Sequence, residues 1–239
     1  MLSPRERLEK ARAENFFHED GSPVVLKLLP GLNEEEVAKL EAELSAPLPS
    51  EINDFVRFAR GFEFSPIGTV TFDRGFSFGM EELFPRAMPL CEDGLGNVWI
   101  VEVLRNGGWG PIFFVNHDPP VIVVHCKDIV FFLNELFNLR HPQHSNIIDR
   151  VQEASMHIWS EEQGIKASSL QDSSDEALCT FAKGLKSNDL VFDLRDQNVG
   201  SGFAWGRHGP STENQRDGDT LIFARLTPAK GFFKRLLKR

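Results

Sequence analysis

CEDGLGNVWIVEVLRNGGWGPIFFVNHDPPVIVVH, residues 91–125, holds three runs of β-forming residues: Val98–Leu104, Pro111–Val115 and Pro120–Val124. Asp93-Gly94-Leu95-Gly96-Asn97 precedes the first, and Asn106-Gly107-Gly108 and His117-Asp118-Pro119 separate the others. Asp-Gly, Asn-Gly and Gly-Gly supply the positive φ that tight hairpins need, so the segment reads as an antiparallel meander. Its polar residues gather in the turns and its strands are largely apolar. That pattern points to a rigid sheet that presents loops, not to a catalytic pocket.

Working upstream, Thr69–Phe72 and Phe76–Phe78 flank Asp73-Arg74-Gly75 and read as a hairpin. Ser50 caps a helix with Ile52, Phe55, Val56 and Ala59 as its apolar stripe and Gly61 just past its end. Asn33 caps another, with Glu34, Glu35 and Glu36 in its positive first turn and Val37, Leu40 and Leu44 on one face. The first twenty residues read as a charged helix, followed by a Gly-Ser-Pro break at 21–23 and a short apolar run, Val24–Leu29.

Downstream, Lys127–Leu139 is apolar almost all round, as a buried helix is. Ser145 caps a further helix running to about Trp159, and 164–176, GIKASSLQDSSDE, reads as a linker. Ser174 then caps a short helix, and Leu190–Leu194, Gly202–Trp205 and Thr220–Leu226 are strand candidates. From Pro228 a tail pairs Phe232, Phe233, Leu236 and Leu237 with basic residues, an amphipathic helix too short to be stable alone. Helices, a meander and a closing helix, without βαβ alternation, give an α+β fold. We expect a mainly antiparallel sheet with helices packed against it, plus a C-terminal α/β extension. The units are 1–22 (the charged helix), 23–141 (the meander domain) and 142–239 (the extension and its basic tail).

The chain carries a net charge of −9, and its last ten residues, KGFFKRLLKR, contribute +5, so the rest carries −14. Such a body repels nucleic acid and anionic lipid and attracts basic proteins. No apolar run approaches the ~18–20 residues of a membrane span, and no apolar segment follows the N-terminal charges as a secretory signal requires. Cys91, Cys126 and Cys179 are odd in number and widely spaced, which suits a reducing cytosol. We therefore expect a cytoplasmic protein with no stable membrane anchoring. The 21 Phe and absent Tyr exclude tyrosine chemistry.

The motifs DGLGNVW (93–99) and WGPIFFVNHD (109–118) resemble the signature of the SUKH superfamily, which groups yeast cell-wall-synthesis regulators with bacterial immunity proteins. Leu48-Pro49-Ser50-Glu51-Ile52-Asn53-Asp54-Phe55, running into Arg60-Gly61-Phe62, is similar to the family's LP-x-x-hydrophobic helix. The likeness covers roughly residues 20–140. It implies a non-enzymatic protein-binding module.

The residues themselves offer no catalytic constellation. His117-Asp118 has the look of an acid/base pair, but Asp before Pro is turn chemistry and no third group accompanies it. Asp93 and Asn97 fit a calcium loop only in part, since Leu95 replaces a ligand; tight-turn geometry accounts for them. Cys91, followed by Glu92 and Asp93, is a poor nucleophile, and the cysteines and histidines lack zinc spacing. No GxSxG elbow and no phosphate loop is present; Gly200-Ser201-Gly202 is only a loop. We expect neither cofactor nor metal.

The candidate partner-binding residues are Glu92, Asp93, Asn97, Trp109, His117 and Asp118. Trp109, in its Gly-rich turn, either folds back onto the sheet or stands out as an anchor, with Glu92, Asp93 and Asp118 as an acidic rim. The acidic helix at Glu34–Glu36, continuing to Glu41 and Glu43, is either a solvated face or a steering surface for a basic partner. The first functional expectation, which the resemblance implies, is an immunity protein that binds and neutralises a cognate toxin; the acidic body adds that the toxin is basic and nuclease-like, since many toxic nuclease domains are basic to hold phosphate. The alternative is a housekeeping scaffold of the cell-wall-regulator type, for which the long C-terminal half is the motive.

Overall fold

Strands that are apolar on both faces must be covered on both faces, and the architecture follows from that. The computed structural model describes residues 2–18, 20–140, 147–161 and 163–228. The chain runs α1 (Pro4–Ala13), β1 (Phe16–Phe17), β2 (Pro23–Val24), β3 (Lys27–Leu29), α2 (Glu34–Leu44) and α3 (Ser50–Phe58). Strands β4 (Gly61–Phe64), β5 (Gly68–Thr71), β6 (Met88–Glu92), β7 (Val98–Val103), β8 (Trp109–His117) and β9 (Pro120–Cys126) follow. Next come α4 (Ile129–Asn138), α5 (Ile147–Ser160), β10 (Ile165–Lys166) and α6 (Glu176–Lys183). The remaining strands are β11 (Leu190–Asp193), β12 (Gly202–Phe203), β13 (Asn214–Arg216) and β14 (Ile222–Arg225).

The meander is the central sheet, in the order β12-β9-β8-β7-β6, every pair antiparallel. Period-two alternation sends Trp99, Val101 and Val103 of β7, with Ile112 and Phe114 of β8, to one face. There they meet Phe132, Leu133 and Leu136 of α4 and Val151 and Ile158 of α5. Helix α1 packs on α3 and α4, and α2 on α3. Val98, Ile100, Phe113, Val115, Ile122 and Val124 point to the opposite face. The C-terminal half covers it with Phe192, Leu194, Phe203 and Phe223, Phe203 stacked between the other two rings at 4.9 and 5.2 Å. Each such ring, fully buried, contributes roughly 1.5–3 kcal/mol. A second antiparallel sheet, β10-β11-β14-β13, carries Phe192 and Phe223 on this side. Its other side holds Val191, Ile222 and Ala224 against Phe181 and Ala182 of α6.

The fold is therefore α+β, as expected, and the extension is fastened to the sheet in two ways. Strand β12 pairs directly with β9 (Gly202 opposite Val123, Phe203 opposite Ile122). A Cβ on Gly202 would lie 1.8 Å from the Ile122 carbonyl oxygen, so only glycine allows this approach. The second fastening is ionic. Glu102 on β7 and Arg216 on β13 form a two-pronged pair at 2.8 and 3.2 Å, with side chains 2% and 5% exposed. The Arg216 guanidinium also donates to the Leu83, Asp219 and Thr220 carbonyls and lies over the Phe84 and Phe223 rings. Asp219 binds Arg86 at 2.5 Å and Arg105 beside it.

Several local expectations are corrected. The N-terminal helix ends at Ala13, because Phe16 is drawn into the core against Phe64 and Phe137. Pro49 takes the N-cap position and Ser50 is the first helical residue, its hydroxyl capping nothing. Gly61 is not a helix end but the first residue of β4, where a Cβ would meet the Val70 carbonyl oxygen at 2.1 Å. β5 pairs with β4, so the expected hairpin with Phe76–Phe78 does not form. Lys127–Leu139 shortens to α4, capped by Asp128, and Phe131 is 44% exposed. The stretch read as a linker holds β10, a 3-10 turn at Ala167–Ser169 and the true cap of α6, Asp175, which accepts from the Leu178 N–H; Ser174 does not cap it. The expected cap Ser145 and the basic tail from Ala229 lie outside the described residues.

One buried polar pair sits in the helix-side core. The Trp99 indole N–H donates to His125 Nδ1 at 2.8 Å, so the neutral ring carries its proton on Nε2, which has no partner. His125 is 0% exposed, and burial pushes its pKa down to about 3. A depressed histidine pKa means that the unfolded chain binds a proton the folded chain refuses. This contribution is complete above the unfolded pKa and is lost as pH falls from about 6.5 towards 3, at ~1.4 kcal/mol per unit.

Two outcomes follow for equilibrium denaturation. Between pH 7 and pH 5 the parent should lose about 2 kcal/mol more stability than His125→Gln, which keeps an acceptor for Trp99 but does not titrate; equal losses would contradict the burial argument. Arg216→Met should cost about 3–5 kcal/mol by stranding Glu102, and adding Glu102→Met should recover most of it. A double variant no more stable than Arg216→Met would show that the pair is not the fastener.

Candidate protein-binding surface

The β6–β7 turn is built by two side chains that satisfy its backbone. Asp93 Oδ1 accepts from the Leu95 N–H at 2.8 Å and the Asn97 N–H at 3.2 Å, while Oδ2 accepts from Asn97 Nδ2 at 2.6 Å. Asn97 Oδ1 in turn accepts from the His117 N–H at 2.9 Å, which ties the turn to the end of β8. Gly94 and Gly96 take φ of 78° and 89°, which side chains resist. A Cβ on Gly96 would sit 3.5 Å from His117 Nδ1, so the imidazole lies close over the turn. Short polar side chains and two glycines thus give a loop whose shape is set before any partner arrives.

Of the sequence-predicted residues, Glu92, Asp93, Asn97, His117 and Asp118 come together at this end of the sheet. Glu92, His117 and Asp118 are exposed, whereas Asn97 is buried in its network. Asp93 and Asn97 act as turn formers, as their types and spacing indicate. Trp109 is not with them. It begins β8 and His117 ends it, and nine residues of strand span roughly 27 Å. No acidic rim of Glu92, Asp93 and Asp118 therefore surrounds Trp109. Its ring folds back against Phe55 and Phe72, at 6.0 and 5.9 Å, in the helix-side core. Gly107 beside it approaches the Pro47 carbonyl too closely for any Cβ.

Sequence reasoning missed the apolar part of this surface. Leu95, at the tip of the turn, is 74% exposed. Beside it a groove of about 470 Å³ is lined by Ile67, Thr69, Thr71 and Phe76 with Glu92 and Gly94. The signal was the placing of a leucine between two glycines in a polar turn, where nothing local can bury it. The groove had no such signal, because it depends on β5 lying beside β6, a contact between separate sheets.

The polar side chains of this turn are engaged in holding its shape. Both Asp93 oxygens are taken by the turn's own N–H groups, and among the described residues no group of three His, Cys, Asp or Glu side chains is placed to hold a metal. Burial first, then the Asp93 and Glu92 carboxylates, push the Cys91 thiol far above its ordinary range; burial does the same to Cys126. Neither is a nucleophile at neutral pH. Among the described residues no helix is long and apolar enough to cross a membrane.

Comparison with known proteins agrees with this architecture. No curated protein and no solved structure matches the chain. Residues 31–135 match the model of the SMI1 / KNR4 family (SUKH-1). That span begins at the turn before α2 and runs through the meander into α4, so it holds the loop network and stops short of α5 and the second sheet. With its helices, its antiparallel sheet and its Asp93–Asn97 turn inside the matched span, the segment 31–135 is similar to the SUKH-1 domain of the SMI1 / KNR4 family.

Proposed function

We propose that this chain is a non-enzymatic protein-binding module that acts as an immunity protein, seating its β6–β7 turn against a cognate basic, nuclease-like toxin. The observation that carries the reading is the preorganised turn: Leu95 projects from a hydrogen-bonded frame, flanked by the exposed carboxylates of Glu92 and Asp118. An apolar anchor inside an acidic rim suits a basic surface, and a loop that is ordered in advance loses little entropy on binding. The body's charge of −14 would speed encounter with a cationic partner. The family match at residues 31–135 supports protein binding in general; the toxin, its basic character and the cytoplasmic setting are our inference. Nucleic acid and membrane surfaces are disfavoured as partners by the same charge.

The scaffold reading draws on the length of the C-terminal half. Much of that half is accounted for by its cover of the second sheet face, so its presence needs no separate partner.

The test is capture of the tagged chain from its native cells at low and high salt, followed by affinity measurement with the recovered partner. We expect one stoichiometric basic protein with a toxic domain. Leu95→Asp and Glu92→Lys/Asp118→Lys should each weaken binding by about 2 kcal/mol, roughly 30-fold, with unchanged melting temperature. Asp93→Ala should weaken binding and also loosen the turn. Recovery of a cell-envelope assembly would favour the scaffold reading, and full affinity in every variant would move the interface away from this turn.

A further inference from the structure

A second surface lies where the extension meets the family domain. A cleft of about 650 Å³ opens between the 79–83 turn and strand β13. Its apolar wall is Met80, Leu83, Trp205 and Leu226, and its carboxylates are Glu81, Glu82 and Glu213. No lysine or arginine lines it. Glu82 and Glu213 are exposed and make no ion pair among the described residues. Asn214 donates through Nδ2 to the Trp205 carbonyl at 2.8 Å, while its Oδ1 is buried without a partner. The site is therefore apolar, acidic and rich in acceptors, and a cationic amphipathic segment is its chemical complement.

The chain itself carries such a segment, and it leaves the described structure at the rim of this cleft. The Leu226 N–H donates to the Glu213 carbonyl at 2.8 Å, and the Thr227 N–H to Asp189 Oδ1 at 2.7 Å, which fixes the backbone there. Eleven residues, 229–239, follow the last described residue, Pro228. They hold Lys230, Lys234, Arg235, Lys238 and Arg239 with no acid, interleaved with Phe232, Phe233, Leu236 and Leu237. Phe232 is six residues beyond Leu226, a reach of up to ~20 Å when extended, which is ample to return across the cleft.

We propose that residues 229–239 dock in this cleft of their own chain, with Phe232 and Phe233 on the apolar wall and the lysines and Arg235 over Glu82 and Glu213. The docked segment neutralises the acidic cleft and shields its apolar floor. A segment too short to hold a helix alone gains its stability from the surface that receives it. Tethering makes the event intramolecular, so modest contacts suffice. The proposal is independent of the toxin reading, because the β6–β7 turn takes no part in it.

Hydrogen exchange on the full chain, read by mass spectrometry, tests it. Amides of 232–237 should exchange roughly 10-fold or more slowly than in a free peptide of the same sequence. That protection should fall to the free-peptide rate in Glu82→Lys/Glu213→Lys, and be weakened by about 0.5 M salt. Both substitutions are at exposed positions, and the parent's melting temperature serves as the folding control. Free-peptide exchange in the parent would overturn the proposal and leave the segment for a partner or an anionic surface. Protection untouched by the charge reversal would also overturn it, as would protection that grows with protein concentration, which would assign the cleft to a second copy's tail.

Discussion

The Glu102–Arg216 pair is the constraint on which the two halves of this protein depend. Glu102 stands in the middle of β7, the only ionisable residue in an otherwise apolar strand, and its side chain faces the C-terminal sheet. A carboxylate there is tolerable only with a fixed counter-charge and with its other lone pairs satisfied. Arg216 supplies the charge in a planar, two-pronged fork that lysine cannot reproduce. It reaches Glu102 only because β13 pairs with β14, and β14 presses Phe223 onto the sheet. The pair therefore sets how the second sheet lies on the first. It adds specificity of docking more than raw stability, since a well-packed apolar replacement would hold the layers as tightly.

A sheet buried on both faces has few places to meet another protein. Its faces are spent, β6 is flanked by β5, and β9 is covered by β12. What remains is the loops at its ends. The two ends of β8 have opposite fates. At Trp109 the hairpin turns inward and packs between helices and sheet. At His117 the neighbouring turn is held outward by the Asp93–Asn97 frame, which leaves Leu95 in water. The network that shapes this turn engages both Asp93 oxygens and the Asn97 amide, so on the proposed reading a partner would meet chiefly their neighbours Glu92, Leu95 and Asp118.

Much of this was legible in the chain. The meander, the Asn33 cap and the buried helix at 129–138 followed from period-two and helical patterns and from turn residues, because those signals are local. Continuous apolar strands also carry a global message, namely that both faces are covered, and Glu102 within one is the mark of a distant cation. Neither β6 nor β13 was visible: Met88-Pro89-Leu90-Cys91-Glu92 contains a proline and bulges, and Asn214-Gln215-Arg216 has no strand-forming residue at all. They are strands because their neighbours offer hydrogen bonds. Gly61 misled for a similar reason: it is demanded by a backbone that passes within a Cβ's reach, not by a helix end, and sequence shows only that a glycine is present. The apolar groove beside Glu92 was hidden because it arises between sheets.

The same reasoning explains where charge collects. Apolar faces occupy the interior, so the carboxylates are displaced to turns and to the seam between the two sheets. At the seam Glu81, Glu82 and Glu213 are brought together by β13 packing beside the 79–83 turn, although Glu213 is more than a hundred residues from the others in sequence. Like charges so placed repel one another and lower the stability of the folded state unless something positive sits among them. At the upper seam Asp219 meets Arg86 and Arg105, and the cost is met within the described fold. At the lower seam no lysine or arginine lines the cleft, and the next stretch of chain is the one in which every charge is positive. On the proposed docking, an acidic body and a basic end would be two parts of one electrostatic arrangement, the second offsetting the repulsion within the first.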